Sequence, residues 1–409
     1  MSPSDTALPA RLAETSYWSF WSARVLTSAS FQIAAVVVGW QLYSLTSSAF
    51  DLGLVGLCQF LPMLVLTLPA GHIADRFDRR TVVRLCQWVE GATMACLCIA
   101  SATGAISPPL IFTAAAILGA CRTIELPAMA ALLPGVVGTP LLPRAVALSA
   151  SAMETATILG PALGGVLYLA GPKIAYGIVA VLYAAASLCI WSIKLAAPHV
   201  ARREPVSLDN LLSGFRFIRA KPIILGAISL DMVAVLLGGA TALLPIYARD
   251  ILHTSSLGLG ALRAAPAVGA LLTSLLLARR PLSKRVGVTM FTAVAVFGAG
   301  TVLFGLSTSF PLSLVALTLM GAADVVSVVI RSTLVQLETP DAMRGRVSAV
   351  NFLFVGTSNQ LGEFESGTTA ALFGTVPAVV IGGIGTILVA VLWSRLFPAL
   401  RKVDSMRDL

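Results

Sequence analysis

Glu90, Arg122, Glu125, Glu154, Asp231, Asp324, Glu363 and Glu365 each interrupt a run of otherwise apolar residues. A charged side chain at the centre of a lipid bilayer costs at least about 2.5 kcal/mol. Such groups therefore face a protein interior, pair with one another, or exchange protons. Arg122 and Glu125 are three apart and share a helix face, which predicts either a structural ion pair or a working one. Glu363 and Glu365 are two apart, about 200° around a helix, so both cannot line one cavity. Glu125 and Glu154, the latter just before Gly160-Pro161, are favoured as proton carriers, because burial raises the proton affinity of a carboxyl. Arg24, about two turns inside the first apolar run, either reaches back to the interface or contributes to an anion-attracting cavity.

The elements that position these residues follow from composition. The chain has 409 residues, 57% hydrophobic and 11% charged. A soluble domain carries roughly 25% charged residues, so lipid must be the solvent for most of this surface. Apolar runs between charged breaks predict twelve transmembrane helices near 17–44, 50–74, 81–103, 107–132, 146–170, 173–195, 222–248, 257–279, 286–308, 311–335, 346–372 and 376–398.

The net charge of +9 does not indicate a nucleic-acid partner, because the basic residues sit in short loops. With the N-terminus inside, the outer loops hold only Lys173 and Arg249, and the inner side holds nearly all other Lys and Arg outside the spans. This asymmetry predicts both termini in the cytoplasm. Met1 to Ser16 reads as a cytoplasmic tail and not as a cleaved leader. Cys58, Cys86, Cys96, Cys98, Cys121 and Cys189 all lie in apolar runs without zinc-like spacing, and His72, His199 and His253 are scattered, so no metal or other cofactor is expected. Trp18, Trp21, Trp40 and Tyr43 flank the first span as interface anchors.

The predicted organisation is a tail 1–16, a bundle 17–195, a cytoplasmic linker 196–221, a second bundle 222–398 and a tail 399–409. Within the linker, Ser207 to Arg219 has the pattern of an amphipathic surface helix. The two halves echo each other. Gly119-Ala120 leads to Thr139-Pro140 and Arg144, as Gly321-Ala322 leads to Thr339-Pro340 and Arg344. Repeated six-span halves around a central site suit a transporter.

The loop Gly71-His72-Ile73-Ala74-Asp75-Arg76-Phe77-Asp78-Arg79-Arg80 resembles the signature loop of the major facilitator superfamily between spans two and three. Gly160-Pro161-Ala162-Leu163-Gly164-Gly165 is similar to the antiporter motif of its exporters, with Ala156 where the motif has glycine. Thr339 to Val347, with Pro127 and Leu132-Leu133-Pro134, resembles the branch that exports enterobactin-like siderophores and drugs. The second-half copy of the signature, Arg279 to Arg285, lacks the acidic residue. The resemblance implies an all-α membrane fold of two pseudo-symmetric six-helix bundles in a bacterial inner membrane. It also implies a monomeric, proton-coupled exporter working by alternating access, with a small-molecule substrate, protons and lipid as its partners. Asp75 and Arg76, with Gly71, Arg79 and Arg80, would form a cytoplasmic latch, and Gly160, Pro161, Gly164 and Gly165 would control occlusion. Glu154, Glu125, Arg122, Glu90, Asp231, Asp324, Glu363 and Arg24 remain candidates for proton or substrate contact. A lipid or lysophospholipid flippase, or an importer, of the same fold is the alternative. No nucleophile elbow or His/Asp/Glu metal cluster supports an intramembrane enzyme.

Overall fold

The structure is a computed structural model and describes residues 3–137, 141–193, 208–280 and 284–405. Every regular element among the described residues is helical. In lipid this follows from the backbone, because a helix satisfies its own N–H and C=O groups without water. The helices are α1 (Pro3–Thr46), α2 (Ala49–Arg76), α3 (Arg79–Thr103), α4 (Pro108–Val137), α5 (Leu142–Leu169), α6 (Pro172–Ser192), α7 (Leu208–Ala220), α8 (Pro222–Gly238), α9 (Ser256–Arg279), α10 (Val286–Leu306), α11 (Phe310–Glu338), α12 (Asp341–Phe373), α13 (Thr375–Leu396) and α14 (Pro398–Arg401).

Eleven helical stretches among the described residues are long and apolar enough to cross a membrane. The twelfth expected span corresponds to α12, which has 33 residues and ample length. Its apolar character is diluted by Asp341, Arg344, Arg346, Glu363 and Glu365. The stretch expected as an N-terminal tail is helical from Pro3 and continues into the first span without a break.

The chain forms two compact units, Met1–Gln41 with Leu61–Pro205, and Leu42–Phe60 with Val206–Leu409. The first unit packs α3 on α6 and α4. The second repeats that scheme, with α10 on α13 and α11. The internal repeat read from loop motifs is thus also a repeat of helix partners.

The segment Leu42–Phe60 belongs with the second unit by contact, although the sequence reading places it in the first bundle. The cause is close backbone packing. A Cβ added at Gly53 would stand 3.0 Å from Gly367 Cα, and one at Gly56 would stand 2.6 Å from the Gln360 carbonyl oxygen. Tyr43 donates its hydroxyl hydrogen bond to Asp250, and Arg249 lies over the Tyr43 ring at 5.6 Å. Tyr43 therefore serves a defined polar contact as well as an interface.

The seventh span is broken. After α8 the chain passes through a 3-10 turn at Ala240–Leu243, a short helical turn at Leu244–Ile246 and a π turn at Tyr247–Ile251. Pro245 has no N–H for the regular ladder. Hydroxyls from neighbouring spans compensate: Ser366 donates to the Gly239 carbonyl at 3.0 Å and Thr386 to the Ala234 carbonyl at 3.2 Å.

The linker helix α7 packs on α12 and not on lipid alone. Gly214 lies against the Arg346 backbone, and Ile218 is buried with Ile224, Val347 and Val350. The expected amphipathic helix is present, with Leu212, Phe215, Arg216 and Arg219 left exposed.

Helices α9 and α11 cross through glycine. A Cβ at Gly321 would collide with the Pro266 carbonyl oxygen, and one at Gly269 with that of Thr318. Both obstacles are backbone and cannot rotate away. Gly321→Val should therefore lower thermal stability by an overpacking cost of about 1–3 kcal/mol or more. A thermal unfolding curve of purified protein matching the wild type would show that the crossing is looser than this.

Candidate functional site

The first unit encloses a polar cluster in an apolar bundle. Gln87 on α3 is fully buried, and its Nε2 donates to Glu125 Oε1 at 2.9 Å and to Thr27 Oγ1 at 3.0 Å. One amide thus ties α3 to α1 and α4. Glu125 is 3% exposed, and Glu90, one turn from Gln87 on α3, is 1% exposed. Both carboxyls sit where an ionised form is expensive. Gln87 Oε1, Glu90 Oε2 and the Tyr183 hydroxyl have no hydrogen-bond partner among the described residues. The cluster is therefore rich in unused hydrogen-bonding capacity.

The expected Arg122–Glu125 ion pair is not formed among the described residues; the salt bridges lie elsewhere. The Arg122 guanidinium instead stacks on the Phe31 ring, 3.8 Å from its centroid. Cation–π contact and an amide donor have taken the two partners apart. Arg24 does not simply reach the interface: its Nη2 lies 2.8 Å from Met153 Sδ on α5. It closes a row in which the Tyr17 hydroxyl meets the Ala145 carbonyl at 3.5 Å and Trp21 Nε1 donates to the Leu148 carbonyl at 3.2 Å. Tyr17, Trp21 and Arg24 lie on one helix face at spacings of four and three. Trp21 thus has a packing role that interface anchoring does not describe.

Glu154 stands on an exposed face of α5, outside this buried cluster. It does not share the buried setting of Glu125.

The antiporter-type segment is where α5 meets α1. A Cβ at Gly160 would stand 2.6 Å from Gln32 Cβ, and one at Gly164 would stand 3.0 Å from Val36 Cβ and 3.1 Å from the Ile33 carbonyl oxygen. Two glycines four apart let the helix axes approach closely. Pro161 between them removes one ladder hydrogen bond. Gly165 is buried beside them.

In the signature loop, Gly71 and Asp75 lie in the last turns of α2, and the side chain of Asp75 falls outside the described residues. Arg76 is exposed. Arg79 Nη1 donates to the Ala131 carbonyl at 2.9 Å, and Arg80 Nη1 to the Ile193 carbonyl at 3.1 Å. Arg80 Nε also lies 3.6 Å from Asp78 Oδ1. The two arginines fasten the loop to the ends of α4 and α6 within the first unit.

The second unit holds its own charged groups. Arg331 Nη2 pairs with Asp231 Oδ2 at 3.2 Å, and its Nη1 donates to Asn351 Oδ1 at 3.1 Å. Asp324 shares the Arg331 face of α11. The Glu363 side chain packs against Gly56, whereas Glu365 accepts from Thr369 at 2.9 Å and from Ser366. The two glutamates thus diverge, as their spacing requires. Gln87, Thr27, Phe31, Asn351 and Ser327 are not marked in the sequence, because neutral residues in a span carry no cost that would single them out.

The model of the transmembrane secretion effector family matches residues 6–408. The chain is 27% identical to the enterobactin exporter of Citrobacter koseri, over 93% of this chain and 91% of that protein. The same values hold for the enterobactin exporter of Shigella boydii serotype 18. Among solved structures, an inward-facing bacterial homologue of the human lysosomal transporter Spinster gives a TM-score of 0.76 at 14% identity, covering 95% of this chain and 98% of that one. A nucleoside transporter gives 0.71 at 15% identity, covering 93% and 99%. These structures establish the fold.

Enlarging Gly164 should drive α5 from α1. Gly164→Leu is expected to abolish export while leaving membrane insertion intact, and Gly160→Ala to impair it less, because flexible Gln32 can yield. Equal export by all three proteins at equal membrane abundance would remove the close approach from the mechanism.

Proposed function

The chain belongs to the transmembrane secretion effector family, within the major facilitator superfamily, and is a secondary transporter that exports a small molecule; we propose that protons drive this export through Glu125 and Glu90. The observation that carries the proposal is the fully buried Gln87 amide. It holds one carboxylate oxygen of Glu125, while Glu90 Oε2 beside it has no partner. A buried carboxyl whose access to water alternates can take up and release a proton as that access changes.

Alternating access supplies that change. Proton entry favours release of substrate outside, and proton loss to the cytoplasm resets the carboxyls. Each charge crossing gains about 2.3 kcal/mol per 100 mV of membrane potential. Asp75 and Arg76 act as a cytoplasmic latch in this scheme, a role that rests on the signature motif. The concentration of Lys and Arg in alternate loops supports cytoplasmic termini. The substrate class is a siderophore or a similarly sized drug-like molecule, supported by the two related enterobactin exporters.

Proteoliposomes loaded with protein variants test the coupling. Glu125→Gln should lose transport driven by a pH gradient while retaining downhill substrate exchange. Exposed Glu154→Gln should keep both. Gradient-driven transport by the Glu125→Gln, Glu90→Gln double variant at the wild-type rate would remove both residues from proton coupling. Transport of labelled lysophospholipid, with none of a labelled siderophore, would overturn the substrate class.

A further inference from the structure

Helix α7 has two faces of different kinds. Gly214 and Ile218, four apart, form a buried stripe. A Cβ at Gly214 would stand 2.8 Å from the Arg346 carbonyl oxygen, and Ile218 packs among Ile224, Val347 and Val350. The helix thereby sits on α12 and on the start of α8. Leu212, Phe215, Arg216 and Arg219 follow one another at i, i+3, i+4 and i+7, so they form a single stripe on the opposite side. Leu212 is 48% exposed and Phe215 is 42% exposed, and both arginines are exposed. Phe215 meets the Phe354 ring of α12 at 6.4 Å between centroids, and much of its surface stays open.

The charge of this face is also unanswered. Neither Arg216 nor Arg219 forms an ion pair among the described residues. The carboxylates of the adjoining α11–α12 corner are taken: Glu338 pairs with Lys221 at 3.2 Å and Asp341 with Arg344 at 2.7 Å. Asp209 is in the first turn of α7, where a carboxylate complements the positive end of the helix. Across 196–221, five Lys or Arg stand against two acidic residues.

The position of α7 says what covers the stripe. The helix ends at Ala220, and Pro222 opens the next span. One residue separates them, so the end of α7 is held at the boundary of the bilayer. Two large apolar side chains beside two guanidiniums match that boundary, because acyl chains accept the first and phosphates the second. Four residues on two turns fall far short of the roughly 800 Å² per partner that a stable protein interface buries. A bilayer has no such limit, since it extends beyond the stripe on all sides.

We propose that this stripe binds anionic phospholipid headgroups, with Arg216 and Arg219 on the phosphates and Leu212 and Phe215 among the upper acyl chains. Bound lipid presses Gly214 and Ile218 onto α12, so α7 is seated more firmly in an anionic membrane than in a neutral one. Headgroup binding depends neither on proton coupling through Glu125 nor on the exported molecule, so each can fail separately.

The test uses the full-length protein in nanodiscs and reads hydrogen exchange of the α7 amides by mass spectrometry, a signal local to that helix. Discs hold phosphatidylcholine alone or with a rising share of phosphatidylglycerol. Phosphatidylglycerol should slow exchange across 208–220 in the wild type, and high salt should weaken the effect. Arg216→Gln and Arg219→Gln should each raise the share of phosphatidylglycerol required by about fivefold, the loss of one basic contact with an anionic surface. The double variant should show no slowing, and Arg144→Gln, an exposed cation of the first unit, should match the wild type. Exchange in the wild type that ignores phosphatidylglycerol, or that is slowed equally in the double variant, overturns the proposal. Inorganic phosphate that protects α7 equally in phosphatidylcholine discs would assign the arginines to a soluble anion. Protection confined to discs holding two copies would assign the stripe to a second copy of the chain. Either result also overturns it. Should the double variant not fold, the salt titration of the wild type decides: slowing by phosphatidylglycerol that survives high salt undiminished overturns it.

Discussion

The constraint on which the rest of this structure depends is the cost of charge in a medium that does not solvate it. Most of the chain can satisfy lipid with apolar side chains and helical backbone, but a few carboxyls and guanidiniums lie far from water. Each needs a partner that is already in place, because a buried ion left alone costs more than a helix packing contact returns. In the first unit the solution is an amide. Gln87 reaches Thr27 and Glu125 together, so the hydrogen bonds that hold Glu125 also hold α1, α3 and α4. In the second unit the solution is ionic, with Asp231, Arg331 and Asn351 joining α8, α11 and α12. In both units the groups that satisfy a buried charge also tie helices together.

Glycine sets how closely the helices that carry these groups approach. Where Gly160 and Gly164 meet α1, the chain has removed side chains that packing in water would ordinarily favour. In lipid there is little hydrophobic gain between helices, so close van der Waals contact carries more of the association. The same device recurs at Gly321 against Pro266 and at Gly53 against Gly367. Such contacts have no flexible side chain to deform, and a helix seated on one is either close or displaced. This discreteness suits a protein that must change between arrangements.

The all-helical architecture, the long spans and the internal repeat were legible because they depend on summed composition and on spacing. Charge distribution and apolar run length are properties of many residues, and no single rotation can upset them. The site was legible only in part. Glu90, Glu125 and Asp231 were marked by the expense of their burial, and the structure does bury them. The partners were not legible. Helical spacing correctly put Arg122 and Glu125 on a common face, but a shared face does not choose between a neighbour on the same helix and one across the bundle. Phe31 and Gln87 won that competition from other helices. For Glu154, rotation about the helix axis was not available from one chain, and the structure leaves it exposed.

The two units show how a repeat can keep its packing while its chemistry diverges. Aligning Gly119-Ala120 with Gly321-Ala322 places Arg122 opposite Asp324 and Glu125 opposite Ser327. The positions that carry a cation and an acid in one unit carry an acid and a hydroxyl in the other. Helix partners are conserved between the halves because they follow from small residues and chain order. The charges need not be, since each half has only to satisfy its own buried groups. A duplicated bundle can thus hold two different polar centres on one backbone scheme. One unit presents a stacked guanidinium and an amide-held acid on the same helix, and the other an acid and a hydroxyl on the helix whose guanidinium is engaged by Asp231.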